Sequence, residues 1–173
     1  GVAKYRLGKM FLRGDEVAKN VDYALRWLEE AVAEGNPFAE YLLGKTYLKG
    51  EDVERDLLRA EELLRRSSEQ DNRYAEYTLG KNLLDGDLFI QNIPEALKLL
   101  TESADKGFAP AQYLLGKLYC KGEMLPQDLE KAIAYLEQAT AQKNPYAAYL
   151  AGKIRLTEAE IKDVFRAIRN FEI

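Results

Sequence analysis

Five lysines recur at one fixed spacing, and their ammonium groups could recognise a charged partner. They stand 36 residues apart, at Lys9, Lys45, Lys81, Lys117 and Lys153. If the segments that carry them stack side by side, the charges form a row with a spacing on the order of 10 Å. Such a row would attract an acidic partner. It is equally typical of a solvated surface, because each lysine stem can cover the tyrosine one helical turn before it.

Three further positions of the repeat change in chemistry from unit to unit. Packing does not dictate these residue types, so they could determine partner specificity, although neutral surface variation would give the same pattern. Together with the lysines, they form the predicted partner-binding set: Arg6, Lys9, Arg13, Lys45, Thr46, Lys49, Lys81, Asn82, Asp85, Lys117, Lys121 and Lys153.

Catalytic chemistry finds little support in the residue types. The chain has 0 histidines and contains neither a glycine-rich phosphate loop nor a Gly-x-Ser-x-Gly motif. Neighbouring carboxylates such as Glu29 and Glu30 project in different directions from a helix, so they cannot act as a dyad. Cys120 is the one cysteine, and we expect an inert, partly buried thiol there. We therefore predict a protein that is not an enzyme and that uses no cofactor and no metal.

Composition predicts a soluble, folded chain in the cytoplasm. Hydrophobic residues make up 47% and charged residues 31%, and no apolar run approaches the roughly eighteen residues of a membrane span. One cysteine cannot form an internal disulfide. The net charge of -4 gives no general attraction for nucleic acid or anionic membranes. A first residue other than methionine, directly inside a repeat, predicts a fragment of a longer protein.

The elements that would position these side chains are pairs of short helices. The first helix of each unit, helix A, is predicted to end at a capping glycine: Gly14, Gly50, Gly86 and Gly122. A loop leads to the predicted N-cap of helix B: Asn20, Asp56, Asn92 and Asp128. Asn92 and Glu95 are spaced as a capping box.

Helix A also carries a glycine in its interior in all five units. Glycine in a helix costs about 1 kcal/mol relative to alanine. We therefore predict close contact with a neighbouring helix at Gly8, Gly44, Gly80, Gly116 and Gly152.

The repeated motif Ala-x-Tyr-x-Leu-Gly-Lys, followed by the capping glycine, an apolar loop residue, Asp or Asn, and Ala-x-x-Trp/Leu-Leu, resembles the Sel1-like repeat, a relative of the tetratricopeptide repeat. The resemblance implies an all-α fold, a right-handed α-α superhelix (solenoid) of antiparallel helix pairs with the A helices on its concave side. The expected units are about 3–38, 39–74, 75–110, 111–146 and a truncated 147–173, in which Glu158 replaces the capping glycine.

What the resemblance implies for function is a scaffold or adaptor that binds a protein or peptide on its concave surface. The alternative is an accessory segment of a bacterial DNA mobilisation protein of the relaxase type, whose repeat regions look similar. Direct binding of nucleic acid is disfavoured by the charge, and no membrane partner is expected. The exposed apolar edges of the terminal repeats could support end-to-end self-association.

Overall fold

A computed structural model describes the backbone of residues 1–171 and the side chains of residues 1–157, 159 and 162. All regular structure in this described part is helical, as an all-α solenoid fold requires. The helices are α1 (Val2–Arg13), α2 (Val21–Ala33), α3 (Pro37–Lys49), α4 (Leu57–Glu69), α5 (Arg73–Asp85), α6 (Ile93–Asp105), α7 (Ala109–Lys121), α8 (Leu129–Ala141) and α9 (Pro145–Phe171).

The chain folds into two compact units, Gly1–Ser103 and Ala104–Ile173. In the first, α1 packs on α2, α3 packs on α2 and α4, and α4 packs on α5. In the second, α8 packs between α7 and α9. Each core contains the alanine ladder of the B helices, where Ala24, Ala60, Ala96 and Ala132 are fully buried. None of the described helices is long and apolar enough to cross a membrane.

The predicted helix ends are confirmed by backbone geometry and hydrogen bonds. Gly14, Gly50, Gly86 and Gly122 all adopt the left-handed conformation, with φ between 67° and 76°. The side chain of Asp56 accepts a hydrogen bond from the backbone N–H of Arg59 at 3.0 Å, and the other predicted N-caps make the equivalent bond. Short polar side chains therefore start each B helix, and glycines end the first four A helices.

The capping box at Asn92 is wrong in one detail. Asn92 caps the backbone N–H of Glu95 as predicted, but the Glu95 carboxylate accepts from the Asn92 side-chain amide at 3.0 Å instead of from its backbone N–H. That N–H is already used, because it donates to the carbonyl of Leu83 at 2.9 Å. The N-cap residues Asn20, Asp56 and Asp128 make the same backbone bond to the preceding A helix, which ties each loop to its own helix pair.

Close helix contact is confirmed at four interior glycines and is wrong for the fifth. A β-carbon at Gly116 would lie 2.6 Å from Leu136 Cγ, and Gly8, Gly44 and Gly80 are similarly enclosed by the adjacent B helix. Gly152 on α9 has none of the described atoms within 4 Å of such a β-carbon. Packing against helix B therefore explains the interior glycine in the first four A helices but does not explain Gly152.

The last helix departs from the pattern of the others. Where the earlier A helices stop at glycine, the equivalent position in the last unit is Glu158, and α9 continues from Pro145 to Phe171. Glutamate is a good helix former and lacks the left-handed preference of glycine, so nothing in the local sequence ends the helix. One long helix thus occupies residues 147–171, where a truncated helix pair was expected.

Candidate functional site

A groove with a volume of about 540 Å³ opens between α1 and α3 and reaches the first turn of α5. We call it the A-helix groove. It lies wholly within the first compact unit. Its lining combines four aromatic rings with four cationic side chains: Tyr5, Phe38, Tyr41 and Tyr74, and Arg6, Lys9, Arg13 and Lys45. Val2, Asn36 and Leu42 complete it.

The aromatic floor consists of two ring pairs that join successive A helices. The ring centroids of Tyr5 and Phe38 are 6.0 Å apart, and those of Tyr41 and Tyr74 are 5.8 Å apart. Both pairs are tilted, an arrangement that aromatic rings favour. Phe38 remains 46% exposed although it is aromatic, so the floor offers apolar surface to a ligand. Burial raises the pKa of Tyr5, which keeps its hydroxyl neutral.

Three cations on this groove make no ion pair with any carboxylate that the structure describes. Among the described side chains, no Asp or Glu oxygen lies within 4.0 Å of the charged nitrogens of Arg6, Lys9 or Lys45. Lys45 donates to the Tyr41 hydroxyl oxygen at 3.4 Å, and its Nζ lies 5.7 Å from that ring's centroid. The lysine therefore covers the tyrosine one turn earlier and makes no ion pair with a described carboxylate, although Glu51 and Asp52 line the adjoining cavity that Lys45 also lines.

The other predicted cations differ in their charge environment. Lys49 lies 3.3 Å from Glu51, Lys121 lies 3.6 Å from Glu123, and Arg13 lies 4.0 Å from Asp15. Lys81, Lys117, Lys153 and Asp85 are exposed on their helices. Among the described side chains, Lys81, Lys117 and Lys153, like Lys9 and Lys45, have no carboxylate oxygen within 4.0 Å, so the lysines of the row differ in this respect from Lys49 and Lys121.

Thr46 and Asn82 use their side-chain donors within their own helices. The Thr46 hydroxyl is buried and donates to the Leu42 carbonyl at 2.9 Å. The half-buried Asn82 amide donates to the Thr78 carbonyl at 2.7 Å. Thr46 also lines a smaller cavity of about 200 Å³ beside the A-helix groove, where Glu51 and Asp52 offset the cations.

Sequence reasoning missed the part of the aromatic floor that comes from the start of the A helices. Phe38, Tyr74 and Tyr146 share one repeat position, whose other occupants are Val2 and Pro110. The recurrence of an aromatic residue there is the sequence signal for the floor. Tyr5 and Tyr41 are half-buried and pair with rings of the next A helix.

Trp27 and Cys120 do not belong to this groove. Trp27 is half-buried on a B helix, and Cys120 is a free, half-buried thiol, as expected for the cysteine. Within the described residues, no three acidic or cysteine side chains come together as a metal-binding group.

A polar cluster, which we call the hairpin lock, joins helix A to helix B at one repeat position. Glu40 is fully buried, and its carboxylate lies 2.8 Å from Arg66 and accepts from Gln70 at 2.7 Å. In the last pair, Gln112 takes the same place and bonds Gln138 at 3.1 Å and Gln142 at 2.8 Å. In the first helix pair the charges are exchanged, because the helix A residue is a cation and its helix B partners are anions.

In that first pair, Lys4 lies 2.9 Å from Glu30 and 2.6 Å from Glu34. Hydrogen bonding to Lys4 lowers the pKa of Glu34 to about 2 and raises that of Lys4. Burial raises the pKa of Glu40, although Arg66 acts in the opposite direction. The same position in the third pair is Glu76, which is also buried, so across the four pairs this position holds a cation, an anion in two pairs and a neutral amide.

Comparison with known proteins agrees with this architecture. The family model described as Sel1 repeat matches residues 1–36, 37–72, 73–108 and 109–144. These four units begin two residues before the units expected from the sequence motif. Comparison with curated protein sequences gives no match.

Solved structures include two close matches in fold. The protective antigen c5321 of uropathogenic Escherichia coli, which displays an SLR fold, is 25% identical with a TM-score of 0.83 over 88% of this chain and 33% of its own. A Sel1 repeat protein from Oxalobacter formigenes is 31% identical with a TM-score of 0.79 over 88% of this chain and 44% of its own.

The immunity protein Pa5087 from Pseudomonas aeruginosa shares the fold at 22% identity, with a TM-score of 0.59 over 85% of this chain and 54% of its own. This chain therefore spans about a third to a half of the length of these three structures. With four family units in phase over residues 1–144, the chain belongs to the Sel1 repeat family.

Proposed function

We propose that this chain is a non-enzymatic interaction module that binds a protein or peptide on the surface of its A helices, with the A-helix groove as the contact site in the first unit. Sel1 repeats are generally modules for protein–protein interaction and are typically non-catalytic. The observation that supports this site most strongly is the aromatic floor, with its exposed Phe38 ring, beside three cations that have no described carboxylate within 4.0 Å.

The mechanism would be preorganisation. The rings of the floor are held in pairs, and the B helices pack behind the A helices through fully buried residues such as Leu43 and Leu64. A partner therefore meets groups that are already ordered, and little conformational entropy is lost from this side of the interface. We extend the proposal to a cytoplasmic setting, which the single free Cys120 supports because unpaired thiols are usual in reducing compartments.

The experiment is quantitative affinity capture from a bacterial lysate after nuclease treatment. Phe38→Ala removes exposed ring surface from the groove, and Leu58→Ala, at a site 85% exposed on helix α4 outside the groove, is the control. We expect a defined protein to be retained by the wild type and by Leu58→Ala and depleted by Phe38→Ala. Equal retention by all three variants would contradict the proposed site.

The alternative, an accessory segment of a DNA mobilisation protein, is tested in the same material. If this alternative is correct, omitting the nuclease treatment adds nucleic acid, and the proteins bound to it, to the captured fraction. Light scattering on the purified chain tests the expected end-to-end self-association, which would raise the measured mass with concentration.

A further inference from the structure

The chemistry of the A-helix groove restricts what can occupy it. Arg6, Lys9 and Lys45 have none of the described carboxylates within 4.0 Å, although acidic residues outnumber basic ones by 29 to 25 in the whole chain. Elsewhere, cations such as Lys49 and Lys121 are paired with a neighbouring glutamate. Three unpaired cations that line one cavity therefore form a local positive potential in a chain of net charge -4.

The floor adds a second requirement. Tyr5, Phe38, Tyr41 and Tyr74 present ring surface between the cations. An acidic ligand without an apolar group would leave this surface hydrated and would gain only screened electrostatic energy. A ligand that combines carboxylates with an aromatic or large aliphatic side chain would use both features. The cavity volume of about 540 Å³ is within the range of roughly 300–1,000 Å³ that ligand pockets occupy.

We propose that the A-helix groove binds an acidic peptide segment that carries an aromatic or large aliphatic anchor residue. The anchor lies on the rings of Tyr5, Phe38 and Tyr41, and the flanking carboxylates pair with Arg6, Lys9 and Lys45. This inference rests on the proposed function, because it specifies the chemistry of the partner at the same site.

Nucleic acid fits this groove less well, for two reasons. A phosphate backbone needs a continuous basic track, but the cavity next to the groove is lined by Glu51 and Asp52. The floor rings are also paired with one another at about 6 Å, whereas a base-stacking platform needs a free ring face beside that track. A short acidic peptide needs only the local cluster.

The test is a selection of random linear peptides, displayed on phage, on the immobilised full chain. One arm uses the variant Arg6→Gln/Lys9→Gln/Lys45→Gln, which neutralises the groove. The control arm uses Lys98→Gln/Lys131→Gln/Arg155→Gln, which removes the same charge from cations that lie outside the groove and outside the predicted partner-binding set and that each lie within 4.0 Å of a carboxylate. Circular dichroism melting confirms that both variants are folded.

We expect the wild type and the control variant to enrich peptides that contain Asp or Glu next to Trp, Phe, Tyr or Leu. Synthetic copies of these peptides should bind the groove variant at least about tenfold more weakly, a loss of about 1.4 kcal/mol. Their affinity should also fall with added salt. Single-stranded DNA should not displace them.

Other outcomes overturn the inference. Enrichment of neutral or basic peptides, no enrichment, equal binding by the groove variant, or displacement by single-stranded DNA would each do so. The proposed function is judged separately, because a protein that is captured by the wild type and lost in Phe38→Ala supports the site whatever its charge. Failure of that capture together with failure of the selection would remove both proposals.

Discussion

The buried carboxylate of Glu40 lies 2.8 Å from the guanidinium of Arg66, a side chain that is itself 45% exposed. This contact is the anionic version of the hairpin lock. Its equivalent in the last pair is the hydrogen bond between Gln112 and Gln138, which carries no charge. The geometry of the contact is thus retained between repeats while its electrostatics change, and the consequences can be measured.

Removing one partner of the lock should destabilise the chain more than replacing both. Arg66→Gln leaves the Glu40 carboxylate buried with the hydrogen bond from Gln70, which we expect to cost about 2 kcal/mol of unfolding free energy. Glu40→Gln/Arg66→Gln reproduces the lock of the last pair and should recover most of that loss. Urea denaturation of the wild type, both single variants and the double variant gives the coupling energy. A double variant no more stable than Arg66→Gln would contradict the interpretation.

Glu40 should make the chain less stable as pH rises above the ordinary carboxyl value. Burial raises its pKa from 4.5, so the folded state binds the proton more tightly than the unfolded state does. The contribution of this group to stability is therefore present below pH 4.5 and is lost as pH rises through the folded pKa. The stability of Glu40→Gln relative to the wild type should increase across that window. Chemical denaturation at a series of pH values checks the sign.

Glu34 should have the opposite effect on the acid side. Lys4 lowers its pKa from 4.5 to about 2, so its contribution is present above pH 4.5 and is lost as pH falls towards 2. In Glu34→Gln, stability should fall less steeply over that range. NMR titration of the Glu34 carboxyl carbon measures the pKa directly, and a value near 4.5 would remove the basis of the prediction. Because the pair is exposed, added salt should weaken the effect.

Alanine should have opposite effects at two glycines that share one repeat position. Gly116→Ala places a β-carbon 2.6 Å from Leu136 Cγ and 3.1 Å from the Ala132 carbonyl oxygen, so helix α8 must shift. We expect a net loss of about 1–2 kcal/mol. Gly152→Ala meets no described atom within 4 Å and should add up to about 1 kcal/mol through helix propensity alone. Thermal melting of the two variants compares them, and equal shifts in Tm would contradict the packing explanation.

The helix ends could be predicted because they depend on nearby residues. Asp56 caps a B helix through a bond three residues away, and Gly50 ends an A helix through its own left-handed backbone. The close approach at Gly116 was predicted for the same reason, since a B helix follows within the unit. The prediction was wrong at Gly152, where none of the described atoms lies within 4 Å of a β-carbon.

The A-helix groove and the hairpin lock could not be predicted from periodicity. Phe38 belongs to the floor because its ring meets Tyr5 of the preceding repeat, a contact between side chains that local spacing does not specify. The lock position was visible only as a place where Lys4, Glu40, Glu76 and Gln112 replace one another, which suggests surface variation. In the folded chain, Lys4, Glu40 and Gln112 each contact a helix B side chain whose charge or polarity matches it, so a change on helix A is offset by a change on helix B. This match can be recognised only when the folded structure shows which side chains are in contact.

The hairpin lock also restricts how genes for such arrays can recombine. A crossover at the turn between repeats moves a helix A together with its own helix B, and the charges stay matched. A crossover in the loop within a repeat would place Lys4 against Arg66, or Glu40 against Glu30 and Glu34, and would bury like charges together. Duplication and loss of whole repeats should therefore be tolerated, whereas hybrid repeats should be eliminated. The same boundary is the place to join units when building a longer array from this one.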